Sequence, residues 1–547
     1  VSHRHIREVV GVALPFLATQ QSRRDPLGMK RRARRGAALC LFALGLGAVL
    51  LRARTTLPSL EDRPSSTALT DTDATRLGRA IAPRLVAHPG RSGIHPLQDA
   101  REAFAARMLL ARTAERSLDV QYYIWRQDLS GTMLFEALRD AAERGVRVRL
   151  LLDDNSTSGM DATLAVLDSH PNIEVRLFNP FVLRRPRLLG YLTDFSRLNR
   201  RMHNKSFTAD NQATIVGGRN IGDEYFAATT GVVFVDLDVL AVGPVVRAVS
   251  EDFDRYWASS SAYPVDRVLA PAPTGGLREL ASAASATEVD PAAGAYLAAL
   301  RRAALLQDLL EGRLELEWAA TRLVSDDPAK GLGRAAPEAL LSWKLKNVLG
   351  EPTEAVDLVS PYFVPTAVGV EAFAGMAKRG VKIRVLTNSL EATDVTAVHA
   401  GYAKRRRPLL EAGVALYELK RGLSAPPVAT RHGFAGSSDS SLHAKTFSVD
   451  RSRVFVGSFN FDPRSAKLNT EMGLVIESRP LAQQISAGFE SRLANGAYEL
   501  RLSQFGDPVW IERRQGKTVR QESEPGTNLW KRAGIWLLSV LPIEWLL

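Results

Sequence analysis

An α/β fold of two pseudo-symmetric α-β-α domains sharing one active site is what the sequence predicts, and two internal repeats predict it. The first repeat is architectural. Ala141-Ala-Glu-Arg-Gly-Val-Arg-Val-Arg-Leu-Leu151 returns as Met376-Ala-Lys-Arg-Gly-Val-Lys-Ile-Arg-Val-Leu386, 235 residues later. The second carries chemistry. His203-Asn-Lys205, Asp210 and Gly217-Gly218-Arg219-Asn220 return as His443-Ala-Lys445, Asp450 and Gly457-Ser458-Phe459-Asn460, 240 residues later. The parts keep their order and only small insertions separate the offsets, so each half supplies one copy of a site.

The elements follow in order. Ser117 to Trp125 is rich in β-formers and predicts a strand. Gly131 to Arg144 has helical periodicity and stops at Gly145, a suitable residue just past a helix end. Val146 to Leu152, apolar apart from alternating arginines, predicts a second strand, giving a β-α-β unit with a parallel sheet. Val356 to Phe363 takes the place of the first strand in the second copy. Short apolar strands are expected at Thr214–Val216 and Val454–Val456. The chain then divides into a targeting segment and linker (1–75), a first domain (76–260), a mostly helical connector (261–315), a second domain (316–505) and a tail (506–547).

Composition sets the bounds. The 547 residues are 45 % hydrophobic and 24 % charged, as in a globular protein. The formal charge is +12, but residues 1–54 alone hold eleven Lys/Arg against two Asp/Glu. Basicity therefore belongs mostly to the amino-terminal segment, and no nucleic-acid partner is expected. Cys40 is the single cysteine, which excludes intramolecular disulfides and zinc ribbons. No H-E-x-x-H occurs, and neither a metal nor an organic cofactor is expected.

The basic run Lys30–Arg35 precedes the apolar run Gly36–Leu51, a pattern of a signal peptide or signal anchor. The apolar run is shorter than the roughly 20 residues of a typical spanning helix. Met29 directly precedes the basic run, so residues 1–28 read as lying upstream of the true start. Residues 52–75 read as a polar linker. At the other end, Leu529–Leu547 sets Trp530, Trp536 and Trp545 among apolar residues, which suits a docked surface helix or an interfacial one.

On a strand, residues i and i+2 face alike, so His203 and Lys205 project together, as do His443 and Lys445. Gly217, Gly218, Gly457 and Ser458 would let the backbone approach a ligand, with Asn220 and Asn460 as amide donors at the pocket edge. Two histidines, two lysines and two asparagines suit a phosphodiester. Lysines and amides stabilise its oxygens as charge grows, one imidazole attacks phosphorus, and the other protonates the leaving alcohol. Each imidazole needs an orienting carboxylate. Asp236 is assigned to His203 and Glu471 to His443, with Asp238 as the competitor for the first role.

The duplicated H-x-K-x4-D pattern resembles the phospholipase D superfamily, and within it the bacterial cardiolipin synthases of the C type. Further strings carry the narrower resemblance: Asp119-Val-Gln-Tyr-Tyr-Ile-Trp125, Asp194-Phe-Ser-Arg-Leu-Asn-Arg-Arg-Met-His203, Ser325-Asp-Asp-Pro-Ala-Lys330, Val398-His-Ala-Gly-Tyr402, Phe459-Asn-Phe-Asp-Pro-Arg464 and the terminal Leu-Pro-Ile-Glu-Trp-Leu-Leu547. The resemblance implies phosphatidyl transfer to phosphatidylglycerol from a second phospholipid, at a bacterial inner-membrane surface. It implies His203 as nucleophile, forming a phosphatidyl-histidine, His443 as the proton shuttle, and structural roles for Asp210 and Asp450. Hydrolysis to phosphatidic acid is the first alternative, and a nuclease of the same superfamily the second. His399 is set aside as structural. The clusters Arg184–Arg187, Arg197–Arg201 and Lys404–Arg407 are solvated faces, or attract anionic phospholipid.

Overall fold

The run Arg147–Asp153 shows how the sequence becomes layers. Val148, Leu150 and Leu152 enter one apolar core, Leu151 enters another on the opposite face, and all are fully buried. A strand covered on both sides reads as a continuous apolar run, as expected for parallel strands between helical layers. The exception is Arg149, whose guanidinium grips Asp119 on the neighbouring strand with bonds of 2.6 and 2.8 Å. Arg384 grips Asp357 in the second half with the same two lengths. The arginine that interrupts the run is thus a bidentate cross-strand tie, made twice.

The structure, a computed structural model, describes residues 56–547 except 230–232, 289–292, 295, 298–304, 422–439, 515 and 542–543. The basic and apolar runs before residue 56 lie outside the described residues. In chain order the strands are β1 (Ser92–Leu97), β2 (Ser117–Tyr122), β3 (Arg147–Asp153), β4 (Ile173–Phe178), β5 (Ser206–Ala209), β6 (Ala213–Gly217), β7 (Val233–Val235), β8 (Asp238–Val242), β9 (Ala262–Pro264) and β10 (Glu317–Ser325). Then come β11 (Ala355–Val359), β12 (Lys382–Asn388), β13 (Ala415–Leu419), β14 (Ser440–Leu442), β15 (Thr446–Val449), β16 (Arg453–Gly457), β17 (Met472–Glu477), β18 (Ala497–Leu502), β19 (Pro508–Arg514) and β20 (Lys517–Gln521).

The first half runs β4-β3-β2-β5-β6-β8-β1, parallel from β4 to β2 and antiparallel thereafter. The second runs β13-β12-β11-β15-β16-β17-β10 with the same directions. Strands β1 and β10 pair antiparallel, Gly93 opposite Trp318, and join the halves into one 18-stranded sheet. Val245 and Val249 of helix Pro244–Trp257 share an apolar core with Leu481 and Ala482 of helix Arg479–Gly496, over the strands beside that seam.

The expected helix is Leu129–Glu143, started by Asp128, whose carboxylate accepts from Gly131 N–H, and followed by Gly145 at φ +91°. Three expectations change. The segment after residue 56 is a strap rather than a free linker: Arg149 donates to Ser66 O (2.9 Å) and Arg147 to Thr67 O (2.7 Å). The region 261–315 opens with β9, which pairs with β4, before helices Gly276–Glu288 and Leu305–Leu310. The tail from 506 also begins with strands, β19 and β20, added to the sheet through β18. Among the described residues no helix is long and apolar enough to cross a membrane.

Candidate active site

Both H-x-K strings lie just before a strand rather than in it, since β5 begins at Ser206 and β15 at Thr446. What fixes them is backbone from the other half. His203 N–H donates to Thr470 O at 2.8 Å, and Thr470 N–H returns a bond to Arg201 O at 2.9 Å. His443 N–H donates to Val235 O at 2.8 Å, continuing the pairing of β14 with β7. The residues after Val235 and Thr470 are Asp236 and Glu471, so each carboxylate arrives beside the opposite histidine.

This reverses the expected assignment. His203 Nδ1 lies 2.8 Å from Glu471 Oε2, and His443 Nδ1 lies 2.5 Å from Asp236 Oδ2. The reason is non-local: the segment bearing each carboxylate crosses the seam and pairs with the other half. Asp238, the competitor, is occupied elsewhere, accepting from Arg107 at 2.8 Å in a fully buried ion pair.

Nδ1 of His203 also faces Ser458 O at 3.1 Å, so it meets two acceptors and carries the proton. Its Nε2 then presents a lone pair. Glu471 is held by Ser458 Oγ (2.5 Å) and Ser465 Oγ (2.8 Å) in addition to His203. Asp236 accepts from its neighbour's backbone, Leu237 N–H, at 2.8 Å. Lys205 Nζ donates to His203 O at 2.6 Å, and Lys445 Nζ to His443 O. Both lysines are 1 % exposed and both histidines under 10 %.

Burial dominates the electrostatics. It lowers His203 well below the ordinary imidazole value, helped by Lys205, Lys445 and His443, so the two halves act on one field. His443 is lowered to about 4 by burial and Lys445, against the pull of Asp236. Burial also lowers Lys205, and lowers Lys445 to about 8. The carboxylates diverge. Burial raises Glu471 to about 7, whereas His443, Lys445 and Arg219 overcome burial and hold Asp236 at about 2. A phosphodiester bound among these depressed cations would raise them again.

The small residues serve the carboxylates and strands rather than a ligand. A Cβ on Gly218 would sit 2.2 Å from Asp236 Oδ1, and one on Gly217 would sit 2.1 Å from Asp238 Oδ1. A Cβ on Gly457 would meet Met472 O at 2.4 Å. Asn220 does not reach out as a donor: its amide donates to Tyr225 Oη (3.0 Å) and its carbonyl accepts from Ile124 N–H (3.1 Å). Asn460 is 4 % exposed, and its Oδ1 has no hydrogen-bond partner. Asp210 accepts from the N–H groups of Glu115, Arg116 and Ser117, and Asp450 from those of Thr353, Glu354 and Ala355. Each aspartate thereby caps the start of its half's central strand.

Sequence reasoning missed the aromatic walls. Tyr123 stands edge-on to the His203 ring at 5.0 Å, and Tyr225 and Phe234 flank His443 at 5.2 and 5.1 Å. Tyr362 donates to Asp394 Oδ2 at 2.8 Å, and its phenol is raised by burial, by Asp394 and by nearby Tyr225 and Tyr123. Tyr123 belongs to the string Asp119–Trp125, but nothing local ties it to a histidine. His399 bonds Glu524 at 2.6 Å, away from the reacting residues. Among the described residues no group of three or more His, Cys, Asp or Glu could hold a metal ion.

Comparison with known proteins gives the family. The family model described as "Cardiolipin synthase, PLD-like domain" matches twice, at residues 109–257 and 345–493. Cardiolipin synthase C of Escherichia coli K12 is 52 % identical over 472 residues, 86 % of this chain and all of that protein. An uncharacterized protein of Helicobacter pylori J99 is 30 % identical over 474 residues, 84 % of this chain and 91 % of that one. Among solved structures, a phosphatidylserine synthase of Haemophilus influenzae Rd KW20 shares the fold, with a TM-score of 0.52 at 14 % identity, covering 86 % of this chain and all of the other. With two matched domains, their crossed histidine–carboxylate pairs and a relative of this identity, the chain belongs to the phospholipase D-like family of cardiolipin synthases.

Proposed function

We propose that the chain is a cardiolipin synthase, transferring a phosphatidyl group from a donor phospholipid to phosphatidylglycerol through a phosphatidyl-histidine. The relationship to cardiolipin synthase C supports the substrate class. One observation carries the mechanism: each histidine Nδ1 is held by a carboxylate from the opposite half, Glu471 braced by two serine hydroxyls and Asp236 by a backbone N–H.

His203 is the nucleophile. Its Nδ1–H is committed to Glu471 and Ser458 O, and a carboxyl raised toward 7 gives little support to an imidazolium. The ring stays neutral, with Nε2 free to attack phosphorus. His443 is the acid. Asp236, ionised and 2.5 Å away, is the better partner for a positive ring, and the incoming phosphodiester charge lifts His443 from its depressed value. In the first step the Nε2–P bond forms and the donor's headgroup oxygen leaves with the His443 proton. In the second, neutral His443 takes the proton of a phosphatidylglycerol hydroxyl, whose oxygen attacks phosphorus and releases His203. Lys205 and Lys445 hold the non-bridging oxygens. Asp236 and Glu471 fix the tautomers, and Asn460 supplies its amide at the rim.

The enzyme acts at the bacterial inner membrane, where both lipids reside. Purified enzyme with labelled phosphatidylglycerol should yield cardiolipin in excess of phosphatidic acid, and neither His203→Ala nor His443→Ala should yield either. Phosphatidic acid as the main product would make the enzyme a hydrolase instead.

A further inference from the structure

A site that takes lipids must meet them, and the surface beside this one is rich in large apolar side chains. The turn Arg187–Leu189 and helix Gly190–Leu198 leave Leu188 and Leu192 each 77 % exposed and Phe195 46 % exposed. The carboxyl-terminal helix Leu529–Val540 and the turn Glu544–Leu546 leave Trp530, Trp536 and Trp545 exposed by 83, 67 and 55 %. A lone exposed leucine needs no explanation, but two clusters of this size do.

Both segments converge on one residue beside the catalytic pair. Arg464 donates through Nη2 to Asn199 Oδ1 at 2.8 Å, at the end of the first segment. Its Nε donates to Leu546 O at 3.0 Å and its backbone N–H to Leu547 O at 2.6 Å, at the end of the second. The next residue, Ser465, holds Glu471, the carboxylate on His203. A second route links the first segment to the site. Tyr191 Oη donates to Asn155 Oδ1 (3.2 Å), Asn155 Nδ2 to Tyr123 Oη (3.5 Å), and Tyr123 faces His203.

Ion pairs anchor the second segment. Glu524, just before its helix, is buried against His399 and Arg406, and Glu544 is paired with Lys404 and Arg405. Among the described residues of helix Leu529–Val540, Ile535 alone is buried, against Leu390 and Ala400. The tryptophans therefore point outward from an anchored base. Cations accompany both clusters: Arg185 is exposed in the first, and Lys531 in the second.

We propose that the two segments form one docking face for an anionic phospholipid bilayer, with the mouth of the site between them. Tryptophan rings favour the headgroup region and flanking cations favour anionic lipid. Lipid then enters laterally, without leaving the bilayer. This rests on the phosphatidyl-transfer reading for the purpose of docking, but the docking is testable without it.

The test uses the full-length chain carrying His203→Ala, with vesicles of phosphatidylglycerol and brominated phosphatidylcholine. Tryptophan emission should be quenched, and the quenching should fall at least threefold when Trp530, Trp536 and Trp545 are replaced by Phe. Backbone amides of residues 188–195 should exchange at least fivefold more slowly with vesicles present. Unchanged quenching in the substituted chain, or unprotected 188–195, overturns the proposal. In the active background, Leu188→Ser with Leu192→Ser should cut turnover of vesicle lipid at least tenfold and leave dispersed short-chain phosphatidylglycerol within twofold. Equal loss on both substrates also overturns docking. Failure of the unsubstituted enzyme on both substrates would instead count against the transferase reading alone.

Discussion

The half that supplies His203 and the half that supplies His443 share a topology strand for strand, yet their histidines stand in different chemical surroundings. One imidazole rests on a glutamate held by two serine hydroxyls and raised to about 7; the other rests on an aspartate held by a backbone N–H and lowered to about 2. The position that is Ser458 in one half is Gly218 in the other, which lets the shorter aspartate close against the backbone. The difference shows that symmetry of fold does not impose symmetry of protonation. Two or three side chains give the two rings different partners, and the proposed division of labour rests on them.

The largest effect that could break this comparison is loss of either ring. His203→Ala and His443→Ala should each lower transfer about 10⁵-fold or more, as with other residues that act as a unit. They should separate on a phosphodiester with a nitrophenolate leaving group, which needs no proton. There His443→Ala should recover at least a hundredfold and His203→Ala should not. Recovery by His203→Ala instead would exchange the two roles.

Next come the carboxylates. Asp236→Asn and Glu471→Gln should each cost about 10³- to 10⁴-fold, the range for an orienting carboxylate turned to an amide. Only the Asp236→Asn loss should shrink with the nitrophenolate substrate. The pair should also part in stability. Glu471 has a folded value raised above its unfolded one, so its contribution is full below about 4.5 and lost as pH rises through about 7. Asp236 has a folded value lowered to about 2, so its contribution is constant from pH 5 to 8. The melting temperature of Glu471→Gln relative to the parent should therefore climb between pH 5 and 8, while that of Asp236→Asn stays level. Parallel curves would dissolve the distinction.

How much of this was legible beforehand depends on distance along the chain. The β-α-β units and the H-x-K strings are local patterns, and periodicity or spacing exposes them. The partner of His203 is 268 residues away, and sequence offers no sign of which half Glu471 will reach. Downstream proximity suggested Asp236 and was overruled by pairing across the seam. Gly217 and Gly218 were recognisable as positions of close approach, but what approaches is Asp238 and Asp236 rather than a ligand. The strap after residue 56 was invisible because its partners are arginines on strands, one of them fully buried, whose needs only the fold reveals.

A smaller effect sharpens the comparison at the lysines. Burial holds Lys445 at about 8, so kcat/KM should fall as pH rises through about 8 and the ammonium is lost. An exposed lysine would keep its charge to about 10.4. A profile flat to pH 9.5 would show that Lys445 is not needed as a cation. Smallest of all is the contrast of motif aspartates. Asp210 is fully buried and Asp450 partly open, so Asp210→Ala should cost about 3 kcal/mol and Asp450→Ala about 1–2 kcal/mol in urea denaturation.

The antiparallel seam of β1 with β10 has the form of an isologous dimer contact, written once into a single polypeptide. In a true twofold dimer every residue at the contact is duplicated, so a change that improves one site alters its twin as well. Covalent linkage removes that constraint. A serine can stand where the other copy keeps glycine, and the two copies can specialise without a second gene.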